Sequence, residues 1–68
     1  MPMSALLNIA VAEPSAIIRS GLEAVLKRIP GFRIQIIEIA TAELLQETLR
    51  SHKPDILIIN PSLPGYYT

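Results

Sequence analysis

Hydrophobic positions along the chain alternate between strand-like runs and helix-like stripes. Residues 6–12 form a short apolar run that ends at Glu13 and Pro14, which is typical of a strand buried on both faces. Proline cannot donate to a strand ladder, but it is favoured in the first turn of a helix. We therefore predict a first strand over residues 6–12 and a helix after it.

The first predicted helix covers about residues 15–29. Its apolar positions follow an i, i+4, i+7, i+8, i+11 stripe, which indicates one inward face. We predict Ser15 as its N-cap rather than as a ligand-binding hydroxyl. Gly21 costs roughly 1 kcal/mol relative to alanine inside a helix, which suggests close packing against a sheet. The stripe consists of Ile18, Leu22, Val25, Leu26 and Ile29.

A second strand is predicted over residues 33–39. Apolar and polar residues alternate there until the phase slips at Ile36 and Ile37. A half-polar strand with such a slip indicates a sheet edge with a twist or a bulge.

A second helix is predicted over about residues 42–51, with Thr41 as its N-cap. Its inward stripe consists of Ala42, Leu45 and Leu49, supported by Leu44.

The unbroken apolar run Ile56–Ile59 predicts a third strand. The resulting order, β-α-β-α-β, predicts an α/β fold with a parallel sheet and right-handed crossovers. Asn60 follows the third strand and Glu13 follows the first. Ligands bind at the carboxyl ends of strands in open α/β sheets, so these two residues are the candidate site.

Composition limits the classes of function. The chain has 68 residues, six acidic and six basic, and no cysteine. Balanced charge gives no electrostatic footprint for nucleic acid or anionic membranes. The missing thiols exclude disulfides and thiolate metal sites, and the apolar run that ends at Ala12 is too short to span a bilayer. We expect a cytoplasmic protein with no membrane partner.

Three segments together resemble a known family. They are Ile9–Ala12 with Glu13 after it, Ile18–Leu22, and Lys53-Pro54-Asp55 through Asn60 to Leu63-Pro64-Gly65. In this order and spacing the chain resembles the N-terminal half of a response regulator receiver domain of bacterial two-component signal transduction. The similarity is greatest to the kind that is attached to helix-turn-helix transcription factors, and it covers about residues 7–65.

The resemblance implies a flavodoxin-like, doubly wound sheet with strand order 2-1-3-4-5. Residues 1–68 would supply only its β-α-β-α-β half, with order 2-1-3, so we expect a piece of a longer domain. Asn60 stands where the family has its phosphoacceptor aspartate. Glu13 and Pro14 stand where the family has two acidic residues that hold Mg²⁺, so only the first acid is kept.

These departures predict a pseudo-receiver. An amide is too poor a nucleophile to form an acyl phosphate, and Glu13 with Asn60 would hold Mg²⁺ weakly. We therefore expect no enzymatic activity, no metal, no cofactor and no phosphotransfer from a histidine kinase at Asn60. The expected role is transcription regulation through protein–protein contacts, with DNA bound only by a separate output domain.

Alternatives remain open at this level. Asn60 either locks the pocket in one signalling state or simply caps its strand and hydrogen-bonds Glu13 or nearby backbone. A different class of function is a small α/β nucleotide- or ligand-binding enzyme half-domain with its site at Glu13 and Asn60, although no Gly-rich loop accompanies it. In the order 2-1-3 the strand Ile56–Ile59 lies at an edge, which predicts a homodimer through that strand or through bare helix faces.

Overall fold

The computed structural model describes residues 5–66, which form a three-stranded parallel sheet with one helix after each of the first two strands. The order across the sheet is β2-β1-β3. The predicted α/β class and the strand order 2-1-3 are therefore confirmed. The elements are β1 (Ala5–Ala12), α1 (Ala16–Leu26), β2 (Phe32–Ile39), α2 (Ala42–Ser51) and β3 (Ile56–Ile59).

The central strand β1 is buried over only part of its length. It pairs with β2 along all eight residues, but with β3 only over Ile9–Ala12. Those four residues are fully buried, whereas Leu6 is 52% exposed. The prediction that the first strand is buried on both faces thus holds for its carboxyl half alone, because β3 is too short to flank the other half.

The edge position predicted for β2 is confirmed, and of the two expected irregularities, a twist or a bulge, the bulge is not found. The register with β1 runs without interruption from Phe32 to Ile39. Since side chains alternate between faces along a strand, the successive residues Ile36 and Ile37 point to opposite sides of the sheet. The break in the alternation therefore marks a strand with apolar side chains on both faces. One face lies towards α1 and the other towards α2.

The helix α2 closes the hydrophobic core cluster of the fold. Thr41 accepts a hydrogen bond from the Leu44 backbone N–H at 3.2 Å, so the predicted N-cap is confirmed. Thr48 is buried, and Leu49, predicted to face inward, is 42% exposed. The buried members of the cluster are Ala10, Ala12, Ile39, Ala42, Leu45 and Leu63.

The helix α1 starts as predicted and ends early. The Ser15 hydroxyl accepts from the Ile18 backbone N–H at 3.3 Å, which confirms the N-cap. The helix ends at Leu26 because Arg28 and Ile29 bond to carbonyls only three residues back, which tightens the last turn.

Packing of α1 differs from the prediction. No residue of α1 is buried, and two members of the predicted stripe, Ile18 and Val25, are mostly exposed. A Cβ added to Gly21 would meet no atom within 4 Å, so the close packing predicted there is wrong. Within residues 5–66 no helix has the length and apolar character needed to cross a membrane.

Candidate functional site

The two predicted site residues lie side by side at the carboxyl edge of the sheet. The Glu13 backbone N–H donates to Ile39 and the Asn60 backbone N–H donates to Ala12, so both residues continue their strand ladders by one step. The Asn60 side-chain Nδ2 donates to Glu13 Oε1 at 2.9 Å. This bond is the one named in the second alternative for Asn60, in which the residue caps its strand and hydrogen-bonds Glu13.

The carboxylate of Glu13 has both oxygens engaged. Oε1 accepts from Asn60, and Oε2 accepts from the Ser15 backbone N–H at 2.8 Å. The bond from Ser15, the bond from Asn60 and the positive charge of Arg19 lower the pKa of Glu13 against the opposing effect of burial. Glu13 is therefore an ionised carboxylate at neutral pH, although only 6% of the residue is exposed.

The orientation of the Asn60 amide is fixed from both ends. Its Oδ1 accepts from the Ser62 backbone N–H at 2.9 Å, while its Nδ2 donates to Glu13. The reversed amide would place oxygen against the carboxylate and N–H against N–H, so the network determines which atom faces Glu13. Pro61 lies between the two bonded residues, and the turn ends in the buried Leu63.

Arg19 also belongs to the site, although the sequence analysis did not identify it as a site residue. Its Nη1 donates to the Glu13 backbone carbonyl at 2.6 Å, and its Nε lies 3.3 Å from Glu38 Oε1. The side chain is 14% exposed. Arg19 thereby joins the loop after β1 to β2. Strand alternation puts Glu38 on the face of the sheet opposite to Ile37 and Ile39, and this was the available signal.

The pKa of Glu23, the acidic residue of α1, also depends on Arg19 and Glu38. Burial, followed by the neighbouring Glu38 carboxylate, raises the pKa of Glu23, and Lys27 and Arg19 oppose this rise. The pKa of Glu23 is thus raised and the pKa of Glu13 is lowered, although the charge of Arg19 acts on both carboxyl groups.

The site holds a neutral amide against an ionised carboxylate and offers little else to a reactant. Among residues 5–66, no three His, Cys, Asp or Glu residues converge in a way that would hold a metal ion. A shallow concavity of about 290 Å³ lies along α2 and includes neither Glu13 nor Asn60. It is lined by Leu44, Glu47, Thr48, Ser51 and His52.

Comparison with protein-family models, with curated proteins and with solved structures finds no match to this chain. The resemblance to receiver domains rests on the sequence segments 9–13, 18–22 and 53–65.

Proposed function

We propose that the chain is a receiver-like regulatory module of a response regulator, built on the first half of a flavodoxin-like fold. It acts in transcription regulation through protein–protein contacts and without phosphorylation. The observation that supports this best is the hydrogen bond between Asn60 and the ionised Glu13, at the edge where a receiver would carry its phosphoacceptor.

The carboxyl edge of the sheet lacks the groups that aspartyl phosphorylation requires. Aspartyl phosphorylation needs a carboxylate nucleophile, and the nitrogen and oxygen of the Asn60 amide are both poor nucleophiles. Mg²⁺ needs several hard oxygen ligands. A cation at Glu13 would compete with the N–H donors of Asn60 and Ser15 for the carboxylate oxygens.

The hydrogen bond between Glu13 and Asn60 also suits a module that signals through protein–protein contacts alone. The Glu13–Asn60 bond ties the end of β1 to the end of β3, and Arg19 ties the loop after β1 to β2. All three strand ends are thereby held in one arrangement by the chain's own side chains. The partner in this proposal is a second copy, through β3 or the exposed face of α1, and DNA is bound by an output domain elsewhere.

The enzyme alternative has less support. A nucleotide- or ligand-binding site at Glu13 and Asn60 would compete with the existing bonds, because each polar side-chain atom of the pair already takes part in a hydrogen bond of the chain itself. Calorimetric titration with nucleotides and with flavin tests it. Binding heat that disappears in Asn60→Ala would favour the enzyme and overturn the module.

Acetyl phosphate with Mg²⁺, followed by intact-mass spectrometry, tests the proposed function. We expect no gain of a phosphoryl group, because residue 60 supplies no carboxylate. A stable phosphoryl adduct that maps to residue 60 would contradict the proposal.

The Asn60→Asp variant tests the statement that Glu13 and Asn60 bind Mg²⁺ poorly. It places a second carboxylate beside Glu13, where repulsion between like charges destabilises the fold until a cation relieves it. Added Mg²⁺ should raise the melting temperature of Asn60→Asp and leave that of the natural chain unchanged. A matching rise in the natural chain would show that Glu13 accepts the metal after all.

A further inference from the structure

The charged side chains are distributed unevenly between the two ends of the sheet. The chain has six basic and six acidic residues, but these equal totals describe neither end. Helices that connect parallel strands run back along the sheet, so α1 and α2 both end at its amino edge. Five of the six basic residues lie at this amino end: Lys27, Arg28, Arg33, Arg50 and Lys53.

The acidic residues lie mainly elsewhere. Three of the six lie at the carboxyl end of the sheet and two lie within the helices, in the order Glu13, Glu38, Glu43, Glu23 and Glu47. The sixth, Asp55, lies at the amino end, where its Oδ2 accepts from the Asn8 backbone N–H at 2.8 Å. The amino end therefore carries five positive charges and one negative charge, an excess of four.

The helix dipoles account for only part of this excess. Lysine and arginine are favoured at helix C-termini, because each C-terminus carries about half a negative charge. The two helix ends together therefore offset about one of the positive charges. Arg33 belongs to β2 and not to a helix end. About three positive charges remain at the amino end for a partner.

The five basic side chains are available to such a partner. All five residues are exposed, and within residues 5–66 none of them forms an ion pair. They also lie at the opposite end of the sheet from Tyr66, which follows β3 at the carboxyl end. Strands that continue the sheet would lie beside β3, whereas Lys27, Arg28 and Arg33 lie around the start of β2.

The amino end offers charge without an apolar patch. The register sets Ile56, the first residue of β3, level with Ile36, so β2 begins at Phe32 about 13 Å further out. Two large apolar side chains are exposed on this projecting part, Leu6 and Phe32. Leu6 pairs with Arg33, and successive residues of a strand point to opposite faces, so Leu6 and Phe32 lie on opposite sides of the sheet. A protein interface has an apolar core, whereas phosphate groups are bound by cations and N–H donors.

We propose that the amino end of the sheet, through its five basic residues, binds the phosphate backbone of double-stranded DNA without reading its sequence. Phosphates repeat along both strands of a duplex, so they suit cations that lie at the ends of two helices on opposite faces of a sheet. The contact rests on the function proposed above, in which an output domain brings DNA within reach, and it adds a second, weaker contact to that domain. With about three positive charges, binding by this end alone is confined to low salt.

Fluorescence anisotropy of a labelled duplex tests the contact, with the 68-residue chain as titrant. The duplex has about 20 base pairs and the salt runs from about 20 to 200 mM NaCl. We expect binding at low salt, and the logarithm of the association constant should fall with the logarithm of the salt concentration with a slope of about −3. Two duplexes of unrelated sequence should bind equally, because phosphates carry no sequence information. No binding at the lowest salt, or an affinity independent of salt, would overturn the proposal.

Two double variants with the same net charge separate the position of the cations from the total charge. Lys27→Gln with Arg28→Gln removes two cations from the amino end and should make the slope shallower by about two. Ile17→Glu with Leu44→Glu lowers the net charge equally, at exposed positions in the first turns of α1 and α2, and should change the slope far less. Thermal melting checks that both variants are folded. Equal losses of binding would show that only net charge matters and would contradict the site.

Two further probes identify the class of partner. Poly-glutamate presents negative charge on a protein chain, and vesicles rich in phosphatidylserine present it on a membrane. At the same low salt, both should bind the chain more weakly than the duplex does. Tighter binding to poly-glutamate would assign the amino end to an acidic protein, and tighter binding to vesicles would assign it to a membrane. Either result would overturn the DNA contact.

These outcomes are separate from those of the phosphorylation test. Failure to bind the duplex would remove the DNA contact and leave the unreactive Asn60 in place. A phosphoryl adduct at Asn60 would remove the pseudo-receiver and leave the basic amino end unchanged.

Discussion

The two helices flank the same sheet, and the more polar one is the better buried. The helix α2 carries Glu43, Glu47 and Arg50, yet three of its residues are buried. The helix α1 is richer in isoleucine, leucine and valine and has no buried residue. Its Ile17 is 85% exposed.

The difference lies in what each helix meets. The turn after β3 reaches α2, where the Ala42 N–H donates to the Pro64 carbonyl at 2.9 Å and Leu63 is buried in the same cluster. Within residues 5–66 no such turn covers α1, and its Arg19 binds the charged Glu38 of β2. An apolar stripe therefore shows which face of a helix is apolar, and the neighbouring segments decide whether that face is covered.

Truncation of one apolar side chain on each helix should show the contrast most strongly. Leu45→Ala removes a 7% exposed side chain from the α2 cluster and should lower the free energy of unfolding by about 2–4 kcal/mol. Val25→Ala, at 66% exposure on α1, should cost less than about 0.5 kcal/mol. Urea unfolding measures both, and equal losses would show that α1 is covered in solution.

The pH dependence of stability should separate Glu13, beside the sheet edge, from Glu23 on α1. The pKa of Glu13 is lowered from 4.5, so its contribution is present above 4.5 and is lost as the pH falls through the lower folded-state value. The pKa of Glu23 is raised from 4.5, so its contribution is present below 4.5 and is lost as the pH rises through the higher folded-state value.

Urea unfolding of Glu13→Gln and Glu23→Gln from neutral pH to about pH 3 measures this difference. The loss of stability in Glu13→Gln, relative to the natural chain, should shrink as the pH falls. The loss in Glu23→Gln should shrink as the pH rises. Parallel curves for the two variants would show that the Arg19 and Asn60 contacts do not distinguish the two carboxyl groups.

Glycine replacements should give the smallest effects. Gly21→Ala should raise the free energy of unfolding by up to about 1 kcal/mol, because the added Cβ meets nothing within 4 Å. Gly65→Ala should lower it by about 1 kcal/mol, since Gly65 has a φ of +86° and the new Cβ would lie 3.4 Å from Ala42. Thermal melting checks both, and destabilisation by Gly21→Ala would indicate that a partner covers α1.

Much of the fold could be predicted because its signals are local. Ser15 and Thr41 are N-caps as their residue types indicate, and the apolar run Ile56–Ile59 is a strand as expected. Leu49 was predicted to face the core, but the structure buries Thr48 instead. This difference was not predictable, because it depends on how α2 is rotated about its axis against the sheet. The exposure of Ile18 depends in the same way on what lies above α1.

The location of the site could be predicted from the sequence, but several of its hydrogen bonds could not. Parallel strands bring Glu13 and Asn60 to one edge, so their contact followed from chain order. The Ser15 N–H bond to Glu13 and the Arg19 bond to its carbonyl depend on the conformation of one short loop. No spacing in the sequence specifies that conformation.

The residue after Asn60 also bears on how long the site keeps its identity. Asparagine usually ages to aspartate when the next backbone nitrogen attacks the side-chain amide and closes a cyclic imide. That nitrogen belongs here to Pro61, which carries no hydrogen and cannot complete the ring as a stable imide. The cyclic-imide route to an acidic residue at position 60 is therefore closed.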